Sequence, residues 1–77
     1  MTDDEKFAKN MAEIFVVNNW SKHSQDIVRT WYDIEDEDPD ISTEKLTAMV
    51  MDITDSDYDS VIDTMIEFSE LMREFRE

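Results

Sequence analysis

The fold of this chain is decided by residues 55–76, whose sequence is DSDYDSVIDTMIEFSELMREFR. Apolar side chains recur there at steps of three and four residues, at Tyr58, Val61, Met65, Phe68, Met72 and Phe75. This spacing places them along one side of an α-helix and is similar to the seam of a coiled coil. Ile62, Ile66 and Leu71 widen the apolar side. The segment is therefore predicted to be the longest helix, with its apolar side against a core.

Carboxylates occupy the other side of this predicted helix. They recur at steps of three and four residues, at Asp52, Asp55, Asp59, Asp63, Glu67, Glu70, Glu74 and Glu77. At about 100° per residue, those from Asp55 onward lie opposite the seam, about 5 Å apart along the axis. Like charges at this spacing destabilise a helix by about 0.2–0.5 kcal/mol per pair. A functional row is one interpretation, and a solvated or solubilising face is the other.

Two further helices are predicted in the first half of the chain. Residues 3–18 follow a Thr2–Glu5 capping pattern, carry apolar residues from Phe7 to Val17 at helical spacing, and end at Asn18–Asn19. Residues 22–35 carry the apolar face of a second helix, which comprises Ile27, Val28, Trp31, Tyr32 and Ile34. Ser21 or Ser24 is expected to cap it, and the acidic segment before Pro39 to end it.

Ser42 is the expected N-cap of a third helix over residues 43–53, with Ile41 and Leu46 placed as a hydrophobic staple. Thr54, Asp55 or Ser56 is then expected to cap the fourth helix over residues 55–76. The prediction is an all-α fold, in which four helices form a small bundle within one domain spanning residues 1–77.

Composition excludes several classes of function. The 77 residues include 21 acidic and 7 basic side chains, which give a net charge of −14, and there is no Gly or Cys. Without Gly there is no P-loop or dinucleotide fingerprint, because both need Gly where the backbone approaches the ligand. The net charge opposes direct binding to nucleic acid or to anionic membranes. No apolar run is long enough to span a membrane, and a cytoplasmic location is expected.

The negative charge is concentrated after Tyr32. Residues 33–77 hold three basic and sixteen acidic side chains, a net charge of −13, whereas residues 1–32 have a net charge of −1. Besides the row in the last helix, this part contains a second acidic patch, formed by Glu35, Asp36, Glu37, Asp38 and Asp40.

Neither a metal site, a cofactor nor a catalytic site is predicted. Residues 55–66 begin like a calcium-binding loop, but Ser60 stands where the loop needs Gly and Ile66 where it needs Glu. A second candidate beginning at Asp33 is interrupted by Pro39. His23 is the only His, and no Cys accompanies it, which argues against a triad or a metal centre. We therefore expect a protein that is not an enzyme.

The segment from Asp59 to Phe75 contains Asp59-Ser60-Val61 and then Asp63-Thr64-Met65. It resembles the Asp-Ser-Leu attachment site of acyl carrier proteins, which are also short, acidic and four-helical. The resemblance implies a phosphopantetheine arm on Ser60. The chain departs from that family because Ser60 begins the last helix rather than the second, and because the Gly that usually precedes the motif is absent. This interpretation is the least favoured alternative.

The leading hypothesis is an inhibitor that imitates the charge of nucleic acid and occupies the basic groove of a nucleic-acid-binding protein. In general character the chain resembles the small acidic DNA mimics of phages and mobile elements, such as anti-CRISPR and anti-restriction proteins. The expected partner-binding residues are Asp55, Asp59, Asp63, Glu67, Glu70 and Glu74, with the Glu35–Asp40 patch. The alternative is a helical interaction module that uses its apolar seam, with possible homodimerisation through helix 4.

Overall fold

The computed structural model describes the backbone of residues 3–76 and the side chains of residues 5–74. Four helices follow one another, namely α1 (Asp3–Val17), α2 (Lys22–Glu37), α3 (Thr43–Thr54) and α4 (Tyr58–Arg76). The prediction of an all-α fold with four helices, the last the longest, is confirmed. Thr2, from the predicted capping pattern of α1, and Glu77 lie outside the described residues, as does the side chain of Phe75, the last member of the predicted seam. Within residues 3–76, no helix combines the length and apolarity needed to cross a membrane.

The end of α1 is a Schellman motif built on Asn19. The backbone of Asn19 is left-handed, with φ of 52°. The N–H of Trp20 donates to the carbonyl of Phe15 at 2.9 Å, and the N–H of Asn19 donates to the carbonyl of Val16 at 3.2 Å. The rings of Phe15 and Trp20 pack together, with centroids 5.5 Å apart. This is the hydrophobic contact that accompanies such a helix end, and the predicted end at Asn18–Asn19 is confirmed.

Serine side chains cap the next two helices as the sequence predicts. The Ser21 hydroxyl accepts the N–H of Ser24 at 3.2 Å, and the Ser42 hydroxyl accepts the N–H of Lys45 at 3.2 Å. The second helix continues to Glu37, two residues beyond the predicted end, and the N–H of Asp38 still donates to the carbonyl of Ile34. Pro39 disfavours helix only in the residue immediately before it, so Asp38 is where the helix stops.

The turn between α3 and α4 corrects the prediction for the start of α4. Asp55 has a left-handed backbone with φ of 53°, and the N–H of Ser56 donates to the carbonyl of Met51 at 3.0 Å. Asp55 and Ser56 therefore complete the end of α3. The N-cap of α4 is Asp57, whose carboxylate accepts the N–H of Ser60 at 2.7 Å. The predicted caps Thr54, Asp55 and Ser56 are wrong because the turn needs these residues to close α3 first.

The core is organised around α4, which packs against each of the other three helices. Phe68 is fully buried at its centre, and its ring lies within 6.0 Å of the rings of Phe15, Trp20 and Tyr32, measured between centroids. Arg29 of α2 lies over Phe15, with its guanidinium carbon 5.5 Å from the ring centroid. Among residues 5–74, the buried apolar side chains are Ile14, Phe15, Ile27, Val28, Ile34, Leu46, Val50, Val61, Met65, Phe68 and Met72.

Several residues expected on apolar faces are exposed, including Met49 and Ile53 of α3. On α4, Val61, Met65, Phe68 and Met72 are buried, whereas Tyr58 and Ile66 are more than half exposed. Ile66 is five residues from Val61, which is about 140° around the helix. Tyr58 precedes Val61, the first buried residue of α4, and lies beyond the end of the core. On α1, Val17 is exposed as well, and Phe15 is the last buried residue of that helix.

Candidate protein-binding surface

Five carboxylates form a continuous row on the outer side of α4. Asp59, Asp63, Glu67, Glu70 and Glu74 are all exposed, and we call them the α4 acidic face. At about 100° per residue they occupy an arc of about 80°, centred almost opposite the buried arc of the same helix. At about 1.5 Å per residue, the row is about 22 Å long. The predicted division of the helix between a core side and an acidic side is therefore present.

Asp55 is not part of this row, which corrects its predicted position in helix 4. It lies in the turn before α4, with the left-handed backbone described above. Asp52 is an exposed residue of α3. The predicted series continued the helical period through a turn, where that period no longer relates side chains to one face. Glu77, the last member of the series, lies outside the described residues.

Among residues 5–74, no side chain forms an ion pair with the α4 acidic face. Within the described part of the chain, none of its five carboxylates has a hydrogen-bond or ion-pair partner. The row remains available to an external cation, and its members repel one another along the helix. Because the buried side of α4 packs against three helices, the carboxylates are held on a fixed scaffold.

The predicted second patch lies at the end of α2. Glu35, Asp36 and Glu37 are in the last turn of the helix, Asp38 is its C-cap and Asp40 follows in the loop. All five are exposed. The C-terminus of a helix carries a partial negative charge, so these carboxylates add to a potential that is already negative. We call these residues the α2 acidic end.

A groove between α2 and α4 connects the two acidic regions. Its volume is about 430 Å³, and Glu35 from α2 and Glu70 from α4 both border it. Trp31, Ile62 and Ile66 are among its apolar lining residues. The sequence prediction missed this groove because it placed Ile62 and Ile66 in the core. One sequence signal could have indicated the groove. It is the apolar residue Ile66, which lies beside the acidic row on the same helix.

An unpredicted hydrogen-bond chain links α2 to the turn before α4. Thr54 donates its hydroxyl proton to the carbonyl of Val50, so the contact of 2.7 Å between the Thr54 and Ser56 hydroxyls uses the proton of Ser56. The Nε2 atom of His23 lies 2.9 Å from the Ser56 oxygen and is then the donor to it. In this arrangement His23 does not accept the Ser56 proton, as a general base would. The pair fixes the turn, and residues so distant in sequence offer no local pattern that predicts it.

The metal and carrier interpretations concern the start of α4. Among the described residues, no group of three or more potential ligands is arranged to hold a metal ion. Ser60 is exposed in the first turn of α4, and its N–H donates to Asp57. Its modification stays a prediction. Mass spectrometry after coexpression with a phosphopantetheinyl transferase tests it, and an unmodified Ser60 would rule it out.

Comparison with models of protein families, with curated proteins and with solved structures finds no match to this chain.

Proposed function

We propose that the protein is a non-enzymatic inhibitor that occupies the basic groove of a nucleic-acid-binding protein in place of nucleic acid. The cytoplasm is its proposed place of action, that of the host if a phage encodes the chain. The observation that carries the proposal is the α4 acidic face, whose five exposed carboxylates lie on one side of a helix and have no partner within the described residues.

The α4 acidic face would act through substitution of phosphates. Lys and Arg side chains in a nucleic-acid groove bind regularly spaced negative charges, and a straight row about 22 Å long offers such charges from a helix. The backbone that carries the carboxylates is already helical, so less backbone freedom is lost on binding than with a disordered acidic segment. The net charge of −14 would also accelerate the encounter with a basic partner.

The proposal is tested with three charge reversals on the row. Asp63→Lys, Glu67→Lys and Glu74→Lys together change the net charge from −14 to −8. We expect this variant to lose its partner in an affinity pull-down from the native host at low salt, with helicity and melting temperature preserved or raised. A higher melting temperature is expected because the substitutions turn three of the four neighbouring like-charge pairs of the row into opposite-charge pairs.

A matched control separates the row from bulk charge. Glu13→Lys, Asp26→Lys and Asp52→Lys also give −8, but they replace exposed residues of α1, α2 and α3. This control should retain the partner, and the partner should release bound nucleic acid when the wild-type protein is added. Equal loss of binding in both variants, or a captured protein that keeps its nucleic acid, would contradict the proposal.

A second candidate is a protein-interaction module with an apolar interface, and the exposure of Tyr58 and Ile66 favours it. The predicted seam itself packs inside the molecule, since Val61, Phe68 and Met72 are buried. Dimerisation through α4 would therefore use the exposed flank rather than the seam. Sedimentation at several salt concentrations tests this candidate, because an apolar dimer persists at salt concentrations that dissociate a charge-based complex.

A further inference from the structure

The α2–α4 groove presents apolar surface to solvent beside the acidic residues. Ile66 is 53% exposed, and Trp31 and Ile62 are partly exposed in the same groove. A volume of about 430 Å³ lies in the size range of ligand pockets, and it accommodates one or two large apolar side chains. An occupant that covers this surface would remove it from water, which a purely charged partner does not do.

Charge around the groove indicates which occupant it fits. Glu35 borders the groove from α2 and Glu70 borders it from α4. Ile66 is four residues before Glu70, so its side chain neighbours the α4 acidic face. Arg73 is the one cation among the lining residues that the structure describes, and it is also the most C-terminal of them on α4. A segment that places an apolar side chain over Ile66 therefore has its neighbouring residues beside carboxylates.

We propose that the groove binds an apolar side chain carried on a basic, amphipathic helical segment of the partner protein. This rests on the proposed function and specifies how the partner is recognised, with Lys and Arg against the α4 acidic face and Leu, Ile or Phe in the groove. A second copy of the chain is a poor occupant, because each copy carries a net charge of −14 and the groove is bordered by two carboxylates.

Two synthetic peptides test the proposal. The first is an 18-residue helical peptide, about five turns long, with Leu on one face and Lys on the other. The second replaces every Leu with Ser and keeps the charge. Titration into the ¹⁵N-labelled protein is followed by NMR. We expect the Leu peptide to bind on the order of tenfold more tightly and to shift the signals of Ile62, Ile66 and the Trp31 indole.

A pair of isoleucine variants locates the effect. Ile66→Ser is expected to reduce the affinity for the Leu peptide to that for the Ser peptide. Ile53→Ser is the control, since Ile53 is 61% exposed on α3 and is not among the lining residues of the groove. It should leave both affinities unchanged. Because both isoleucines are exposed, both variants should keep the wild-type fold, which their NMR spectra check directly.

The outcomes separate this proposal from the proposed function. If both peptides bind equally and shift only α4 acidic-face residues, the groove proposal is wrong while the charge-based function stands. If the Leu peptide binds in the groove and the Asp63, Glu67 and Glu74 reversals leave its affinity unchanged, the apolar contact stands, whereas the requirement for a basic segment and the charge-based function are both wrong. Binding of neither peptide, or self-association through the groove in sedimentation, overturns the groove proposal.

Discussion

Within residues 3–76, two residues hold a left-handed backbone without being glycine. Asn19 has φ of 52° after α1, and Asp55 has φ of 53° after α3. A side chain in this region costs about 1–2 kcal/mol, and Asn and Asp tolerate it better than other residues because they hydrogen-bond locally. In a chain with no Gly, these residue types are therefore the ones expected at helix ends that need φ above zero.

Asp55→Gly is expected to raise the free energy of unfolding by about 0.5–1 kcal/mol, because Gly adopts this backbone conformation without steric conflict. The control is Asp55→Ala, which removes the same charge but keeps a Cβ atom, and which should be destabilising. Urea denaturation of the two variants measures the difference. If they are equally stable, the left-handed conformation at Asp55 imposes no steric cost.

Asp57 is expected to contribute to stability in a pH-dependent way. Its carboxylate accepts the backbone N–H of Ser60 at 2.7 Å. This bond has the largest effect on the pKa of Asp57, and together with a hydrogen bond from the Ser60 hydroxyl it lowers that pKa below its ordinary 3.8. Because the folded-state pKa is the lower one, the stabilisation is complete above the ordinary pKa and is lost as the pH falls through the folded value. Asp57→Ala should therefore have a lower melting temperature than the wild type at neutral pH, and this difference should shrink below about pH 4.

Asp57→Asn is the matched control for this pH dependence. Asn caps a helix as well as Asp does but has no carboxyl group to titrate in this range. The difference in melting temperature between Asp57→Asn and Asp57→Ala should therefore persist at low pH. A difference between wild type and Asp57→Ala that grows on acidification would contradict the assignment of Asp57 as a charged cap.

At the scale of the element, α4 has one side that is buried in the core and one that is exposed to solvent. Phe68 is fully buried and contacts the rings of Phe15, Trp20 and Tyr32. Phe68→Ala should cost about 3–5 kcal/mol through lost burial and the cavity left behind. In a domain of 77 residues, this is a large part of the total stability. Thermal unfolding followed by circular dichroism measures the loss.

Glu67→Ala is the control for Phe68→Ala, since the two positions are adjacent and Glu67 is exposed. We expect its stability to equal or exceed that of the wild type, because it removes a carboxylate from a like-charged row. If Glu67→Ala is as destabilising as Phe68→Ala, the two sides of α4 do not have the separate roles assigned to them.

Hydrophobic spacing predicted the four helices and the two sides of α4, because burial and exposure follow the helical period directly. It placed Ile66 in the core because the apolar character of a side chain does not say how wide the buried arc is. Only the positions of the packed helices decide that. The spacing of the carboxylates extended the predicted acidic row to Asp55, because Asp fits both a helix face and a left-handed turn. The α2–α4 groove is bordered by Glu35 on one helix and by Glu70 on another, so the sequence of neither helix indicates it alone.

At the scale of the whole molecule, the charge is divided unevenly. A net charge of −13 lies in residues 33–77, against −1 in residues 1–32. The second part contains the end of α2 and all of α3 and α4. Charges of one sign within a small domain oppose the compact state, and the same charges would attract the proposed basic partner from solution. Added salt is therefore expected to favour the folded state of the free protein and to weaken the proposed complex.

Added sodium chloride should raise the melting temperature of the free protein while weakening its complex with a basic partner. The Debye length falls from about 30 Å at 0.01 M to about 3 Å at 1 M. Over that range the screening distance changes from longer than the α4 acidic face, about 22 Å, to shorter than the spacing of its carboxylates. Repulsion within the face is thus relieved as salt is added. Calorimetry of the free protein and a binding titration with the Leu and Lys peptide measure the two effects.

The Asp63, Glu67 and Glu74 reversals and their control at Glu13, Asp26 and Asp52 show where the salt effect originates. Both variants have a net charge of −8, so a response to total charge would be the same in both. If the α4 acidic face is the main source, the melting temperature of the row variant should change least with salt, while the control should keep most of the wild-type response. If the melting temperature of the row variant responds to salt as strongly as that of the control, the repulsion comes from the molecule as a whole. The α4 acidic face would then not be a distinct electrostatic surface.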